Sequence, residues 1–153
     1  MTMKFNRRGF IKKGVIALIG AQLGYLFFDS FKKKGENEED QHWYEVGPIG
    51  NLEANTIYPF QSGQFYLSVL EDGGILAFSV KCTHLGCVIQ AQKDGFICPC
   101  HASSFNKYGE VMSPPATRAL DTFDIKVRNG ILFVDHQNAK KRSQFEKPQI
   151  TYA

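Results

Sequence analysis

Six potential metal-binding side chains lie within twenty residues of this chain. The stretch from Cys82 to Phe105, CTHLGCVIQAQKDGFICPCHASSF, contains all four cysteines and two of the four histidines. They form two groups, C-x-H-x2-C and C-x-C-H, which are separated by ten residues. Thiolates and imidazoles are the donors that zinc, copper and iron–sulfur centres prefer. This concentration of donors therefore indicates a metal or redox site rather than core packing.

Three interpretations of the two groups remain open from the residues alone. Two structural disulfides would use the four cysteines and leave both histidines without a role. A Cys2His2 zinc site would use four closed ligands, commonly spaced C-x2-4-C and H-x3-5-H, which is not the spacing found here. A [2Fe–2S] cluster could take one cysteine and one histidine from each group, which would leave one further cysteine in each.

The sequences CTHLGC and CPCHASSF resemble the two cluster-binding motifs of Rieske iron–sulfur proteins, and the resemblance extends over about residues 43–135. It implies one [2Fe–2S] cluster, with Cys82 and Cys98 on one iron and His84 and His101 on the other. The fold that it implies is all-β, with an antiparallel sandwich or barrel-like base and a small cluster-binding subdomain at about residues 81–116.

This ligand set has predictable redox behaviour. An oxidised [2Fe–2S] core carries two positive charges, so two thiolates and two neutral imidazoles leave the site neutral, whereas four thiolates make it a dianion. A neutral site accepts an electron more readily, and the expected potential is about −150 to +300 mV instead of about −400 mV. Each imidazole also keeps a proton on the nitrogen facing away from iron, so electron and proton uptake are coupled.

The resemblance also assigns residues around the cluster. It implies a disulfide between Cys87 and Cys100 that ties the two loops together. Ser103 matches a serine whose hydroxyl donates to a bridging sulfide, and Phe105 stands where high-potential members carry a tyrosine. We therefore expect a potential in the middle or lower part of the range, which suits menaquinol oxidation. Because alanine replaces the usual glycine at Ala102, we expect the backbone there to avoid positive φ.

Alternating apolar residues and turn signals after Trp43 predict the strands that carry these loops. The expected strands are Trp43–Val46, Thr56–Phe60, Phe65–Leu70, Ile75–Val80, Val88–Gln92, Phe96–Cys98, Asp121–Arg128 and Ile131–Asp135. Strand Ile75–Val80 leads into the first motif, and a hairpin around residues 93–95 returns the chain to the second. Both ligand groups therefore lie at the ends of strands.

The predicted head, residues 43–136, contains one further loop and is followed by a separate C-terminal segment. Pro114 and Pro115 fix the backbone of a loop that resembles the proline loop covering the cluster in Rieske proteins. Residues 137–153 are mainly polar and are predicted to form a C-terminal tail. His42 and His136 lie outside both motifs and are expected at the surface.

The basic charge of the chain belongs to its N-terminal region. Residues 1–34 hold eight Lys or Arg and one Asp, whereas residues 35–153 hold ten Lys or Arg and fourteen acidic residues. Nothing in this distribution indicates a nucleic-acid face. The segment NRRGFIK, with Arg7 and Arg8, resembles a twin-arginine export signal.

An apolar run, residues 14–31, follows this motif and is predicted to remain as a single transmembrane helix, because no small-x-small cleavage site follows it. The N-terminus would then lie in the cytoplasm of a prokaryote and the head on the periplasmic side of the membrane. Residues 35–42 are rich in charged side chains, and this composition predicts a flexible linker.

The resemblance implies the Rieske subunit of a quinol–cytochrome c reductase, with a cytochrome b-type membrane subunit and a cytochrome c-type acceptor as partners. His84 or His101 would contact the quinol, and Leu85 would help to form an apolar docking tip. Three alternatives remain: the small Rieske subunit of a molybdenum oxidoreductase such as arsenite oxidase, the ferredoxin of a ring-hydroxylating dioxygenase, and a structural zinc domain.

Overall fold

The computed structural model of the protein describes residues 7–32 and 42–152, and within its helical segment the side chains of residues 15–27. The chain divides into two units, Met1–Asp40 and Gln41–Ala153. The first unit contains α1 (Arg7–Lys32). In its described residues, the second contains eleven strands and two short 3-10 helices, Ile49–Asn51 and Lys147–Gln149.

Within the residues described, no helix is both long enough and apolar enough to cross a membrane. The transmembrane helix predicted at residues 14–31 is therefore not confirmed. The side chains of the predicted export motif lie outside the described residues, as does the predicted linker apart from His42.

The strands of the second unit form three antiparallel sheets, ordered β1-β11-β10, β2-β3-β4-β9 and β5-β6-β7-β8. Their bounds are β1 (Trp43–Pro48), β2 (Thr56–Phe60), β3 (Phe65–Val69), β4 (Ile75–Ser79), β5 (Gln90–Gln92), β6 (Gly95–Ile97), β7 (Ser104–Asn106), β8 (Val111–Ser113), β9 (Thr122–Phe123), β10 (Ile125–Arg128) and β11 (Ile131–Asp135). The predicted all-β antiparallel fold is confirmed.

The four-stranded sheet containing β3 and β4 lies between two hydrophobic cores. Alternate side chains of a strand point to opposite faces, and in β4 Ile75 and Ala77 enter one core while Leu76 and Phe78 enter the other. Every residue of β4 is buried. The second of these cores also contains Cys82 and Cys98, so the central sheet is the support on which the candidate site rests.

The predicted strand Asp121–Arg128 is interrupted at Asp124. The first part, β9, pairs with β4, and the second part, β10, pairs with β11. The chain therefore passes from one sheet to another at this point, and a continuous strand could not pair with both. Strands β7 and β8, of three residues each, were not predicted.

The C-terminal segment is not a free tail. Lys140 exchanges two backbone hydrogen bonds with Thr122, at 2.7 and 3.0 Å, and Thr151 exchanges two with Ile75, at 2.8 and 3.0 Å. Phe145 and Ile150 pack against the core that contains the free cysteines. The polar composition suggested a tail, but these two apolar side chains and the backbone pairing hold the segment on the domain.

Candidate metal centre

The two donor groups lie in loops with the same backbone hydrogen-bond pattern. In the first loop, residues 82–87, the amide of Cys82 donates to the carbonyl of Cys87 over 2.7 Å, and that of Gly86 donates to Cys82 over 2.9 Å. In the second loop, residues 98–103, Cys98 donates to Ser103 over 2.8 Å and Ala102 to Cys98 over 2.9 Å. Each loop is therefore a closed turn that fixes its ligand side chains.

The fifth residue of each turn has a left-handed backbone. Gly86 has a φ of 79° and Ala102 a φ of 60°. The expectation that Ala102 avoids positive φ is therefore wrong, because the turn must reverse the chain into β7 at this residue. The sequence did contain an indication of this positive φ, because the first loop has a glycine, Gly86, at the position equivalent to Ala102.

A disulfide between Cys87 and Cys100 joins the two loops, with their Cα atoms 6.6 Å apart. This confirms the predicted pairing. The Sγ atom of Cys98 lies within 4.8 Å of both disulfide sulfurs. Sulfurs in a disulfide do not act as thiolate ligands, so within the part of the chain described here the sulfur donors left at the site are those of Cys82 and Cys98.

Both free thiols are enclosed by the protein. Cys82 is 3% exposed and Cys98 is 1% exposed. Burial raises the pKa of the Cys82 thiol; a backbone hydrogen bond from His84 lowers it, and the adjacent Cys98 thiol raises it further. Two neighbouring thiolates are unfavourable in such an environment unless a metal compensates their charge.

The rings of His84 and His101, one from each loop, form a T-shaped contact. The centroids of His84 and His101 are 5.0 Å apart and the ring planes are inclined by 88°. The Nδ1 atom of His84 is buried and has no hydrogen-bond partner among the described residues, which is costly for a polar atom unless a ligand satisfies it. Two free thiols and this inward-facing nitrogen fit the donor set of a two-iron cluster.

Ser103 links the second loop to the segment that contains the two prolines. Its side chain is fully buried, and its Oγ accepts a hydrogen bond from the amide of Ala116 over 3.0 Å. Ser103 also lowers the pKa of the Cys82 thiol, as the smallest of the contributions to its shift. The bond between Pro114 and Pro115 is cis. Phe105 is 2% exposed and belongs to the core that surrounds both thiols.

One contact at the site was missed by sequence reasoning. The hydroxyl of Thr83, which lies between two candidate ligands, donates to the carbonyl of Arg118 over 2.7 Å. Arg118 in turn forms a salt bridge with Asp121. A threonine inside the first motif was a weak signal for such a contact, since its hydroxyl needs a partner when it is half-buried.

Apolar side chains surround the outer edge of the site. Leu85, which belongs to the first loop, is 71% exposed, and Val88, which follows the loop directly, is 61% exposed. His101 is also exposed, whereas His84 is half-buried. Solvent or a partner molecule can therefore reach the imidazoles, while the thiols on the inner side are shielded.

Comparisons with known proteins agree with this geometry. The sequence model of the family described as the Rieske [2Fe-2S] domain matches residues 42–124, which is more than half of the chain. The cytochrome b6-f complex iron-sulfur subunit of Chlorobaculum tepidum is 29% identical over 136 residues, which cover 85% of this chain and 75% of that protein. The corresponding subunit of Prochlorococcus marinus is 37% identical over 90 residues, or 56% of this chain.

A solved structure shows the same fold. The apo form of a quaternary ammonium Rieske monooxygenase matches with a TM-score of 0.51 at 17% identity, over 62% of this chain and 33% of that chain. The chain spans three quarters of the Chlorobaculum subunit but only 51% of the Prochlorococcus subunit.

Proposed function

This chain belongs to the family of Rieske [2Fe–2S] domains, and we propose that it takes an electron and a proton from a quinol, expected to be menaquinol, and passes the electron to a cytochrome c-type acceptor. Membership of this family implies one Rieske-type [2Fe–2S] cluster and a role in electron transfer. The identity of the donor and of the acceptor is the new part of the proposal.

The proposed ligands are the thiolates of Cys82 and Cys98 and the imidazoles of His84 and His101. The observation that carries this assignment is the buried Nδ1 of His84, which has no partner among the described residues while both thiols are free. A histidine that binds metal through Nδ1 keeps Nε2 for a hydrogen bond on its other side. When bound, the cluster supplies a one-electron acceptor with a comparatively high potential.

The residues around the ligands would then orient the quinol. The outer nitrogen of His84 or His101, once it has lost its own proton, would accept a hydrogen bond from the quinol hydroxyl and then take the quinol proton. The exposed side chain of Leu85 would cover apolar surface of a cytochrome b-type membrane subunit, which would complete the quinol pocket. Contact with this partner would exclude water from the imidazoles.

We also propose that the N-terminal segment attaches the head to the outer face of the cytoplasmic membrane as a single span. Its support is the run of apolar side chains in α1, which are exposed at Val15, Ile16, Leu18, Ile19 and Leu23, and the twin-arginine pattern in the sequence. Extraction of membranes with alkaline carbonate tests it: the full chain stays in the pellet if it spans the membrane, and its release into the supernatant would contradict the proposal.

Quinol oxidation by the membrane complex purified in mild detergent tests the electron-transfer proposal. The wild-type complex should reduce cytochrome c with a menaquinol analogue, and the Leu85→Ala complex should show a raised KM with its cluster signal intact. The matched control is Val127→Ala, since Val127 is an exposed apolar residue of β10, away from the site.

Two results would contradict the proposal. One is a wild-type complex that carries the cluster but oxidises no quinol. The other is co-purification of the chain with a large molybdenum subunit instead of a cytochrome b, which would favour the alternative function.

A further inference from the structure

Arg142 is a buried arginine in the C-terminal strap, which we define as residues 139–152. It is 9% exposed. Its Nε donates to the carbonyl of Leu120 over 2.7 Å, and its Nη2 donates to the carbonyl of Tyr108. Its Nη1 donates to Gln149 within the strap itself, and its guanidinium lies 5.1 Å from the ring centroid of Phe78.

One carbonyl bound by Arg142 belongs to the residue just before a loop, and the other belongs to the last residue of that loop. The proline loop, residues 109–120, is closed at its neck by a hydrogen bond of 2.8 Å from the amide of Leu120 to the carbonyl of Gly109. Arg142 spans that neck, and the adjacent Ser143 accepts a hydrogen bond of 3.0 Å from the amide of Ala119. The strap therefore holds the base of the proline loop from outside.

The proline loop in turn contacts both loops that carry the candidate ligands. The amide of Ala116 donates to Ser103 in the second loop over 3.0 Å. The carbonyl of Arg118 accepts from Thr83 in the first loop over 2.7 Å. A continuous series of hydrogen bonds thus runs from the strap, through the proline loop, to both sides of the metal centre.

We propose that Arg142 is a positioning residue for the cluster: by clamping the neck of the proline loop it fixes the hydroxyls of Ser103 and Thr83 beside the ligands. The strap lies outside residues 42–124, which the family model matches. The proposal rests on the ligand assignment made under the proposed function.

The chemistry of the side chain suits this role. A guanidinium presents several donors in a fixed plane and can bind carbonyls in three directions at once, whereas a lysine ammonium cannot reproduce this fork. Burying the charge is costly, and burial lowers the pKa of Arg142 to about 10, so the side chain remains a cation at neutral pH. Three acceptors and the face of Phe78 offset that cost.

Hydrogen exchange of the full-length holoprotein compares Arg142→Lys with the wild type. We expect the amides of Gly86, Ala102 and Ala116 to exchange about tenfold faster in the variant, because a buried charge-assisted hydrogen bond is lost at the loop neck. Amides of β11 should exchange at the wild-type rate. Lys141→Gln is the matched control, since Lys141 is the exposed neighbour in the strap, and it should change nothing.

A second, milder substitution keeps the test valid in case Arg142→Lys fails to fold. Gln149→Ala removes the strap partner of Arg142, together with the hydrogen bonds that link the Gln149 side chain to Glu146 and Gln144 inside the strap. It leaves Arg142 itself in place and should raise exchange at the same amides about two- to threefold. If either variant raised amide exchange only within the strap, or equally in all sheets, Arg142 would merely stabilise the fold and the proposal would be wrong.

A redox titration separates the two roles, because the midpoint potential would not change if Arg142 only stabilised the fold. The midpoint potential of Arg142→Lys should fall in the same direction as that of Ser103→Ala, and the double variant should fall no further than Ser103→Ala alone. An unchanged midpoint in Arg142→Lys would overturn the proposal. Coupling of 15N-labelled histidine nitrogens to the spin of the reduced cluster tests the ligand assignment separately in the wild type, and the exchange experiment does not depend on that result.

Discussion

The amide of Ala116 donates to the Oγ of Ser103 over 3.0 Å, in a place where the serine is fully buried. The serine hydroxyl accepts this bond, so its own proton is left to donate to a sulfur of the site, and Ser103 slightly lowers the pKa of the Cys82 thiol. A hydroxyl held in this way is a preorganised donor to sulfur. Because such donors stabilise added negative charge, Ser103 should favour the reduced cluster.

Ser103→Ala should therefore lower the midpoint potential. Loss of one hydrogen bond to a charged group costs about 1.5 kcal/mol, which for a one-electron couple corresponds to about 60 mV. A redox titration of the purified holoprotein measures the shift. Ser104→Ala is the matched control, since Ser104 is the neighbouring half-buried serine in β7; equal shifts in both variants would contradict the assignment.

Phe105→Tyr should raise the midpoint potential. Phe105 is buried in the core that holds both thiols, and a tyrosine hydroxyl there can donate to a cysteine sulfur, as Phe cannot. A redox titration that follows the electron paramagnetic resonance signal of the reduced cluster measures the shift in midpoint potential. Phe145→Tyr, at the edge of the same core, serves as the control, and an unchanged midpoint in Phe105→Tyr would show that this position does not tune the potential.

Ala102→Gly should stabilise the protein. A left-handed backbone costs an alanine about 1–2 kcal/mol, and the larger unfolded-state entropy of glycine cancels about 0.4–1 kcal/mol of that. A net gain of about 0.5–1 kcal/mol in the free energy of unfolding is expected from denaturant titration. The control is Ala91→Gly in β5, which should destabilise. A loss of stability in Ala102→Gly would show that its backbone carries no strain.

The Tyr152 hydroxyl donates to Asp72 over 2.8 Å at the end of the strap. This bond to the carboxylate raises the pKa of Tyr152, whereas the amide of Gly74 and then Tyr152 lower the pKa of Asp72. Asp72→Asn should therefore return the pKa of Tyr152 towards its ordinary value in a spectroscopic titration. Glu71→Gln is the control, and an unaltered Tyr152 titration in Asp72→Asn would contradict the pairing.

The sign of the associated pH dependence follows from the same pair. Because the pKa of Asp72 is lowered in the folded state, its contribution to stability is complete above the ordinary value of 3.8. It is lost as the pH falls through the folded-state pKa. The contribution is small, since both side chains are exposed and solvent screens the interaction.

The local patterns of the sequence were sufficient for most strands of the base, whereas the pairing of Cys87 with Cys100 was implied by the resemblance of the two motifs to Rieske proteins. Strand β2 (Thr56–Phe60) and β11 (Ile131–Asp135) have the predicted bounds, because apolar alternation and flanking turns define them locally. The two motifs were equally informative, since their donors are close in sequence within rigid turns.

Long-range contacts were not predictable in the same way. The role of Arg142 depends on carbonyls at Tyr108 and Leu120, 34 and 22 residues away, and a basic tripeptide in a polar segment looks like solvated surface. The backbone of Ala102 was also predicted wrongly, because the residue type was considered without the turn that constrains it.

Nitrogen coupling in the dithionite-reduced holoprotein tests the central claim most directly. With the chain labelled with 15N-histidine, electron–nuclear double resonance should show two histidine nitrogens coupled to the cluster spin, as expected if two imidazoles bind one iron. His101→Cys should lose one of the two couplings, whereas His136→Gln should keep both. A wild-type signal without histidine coupling, or both couplings retained in His101→Cys, would contradict the account.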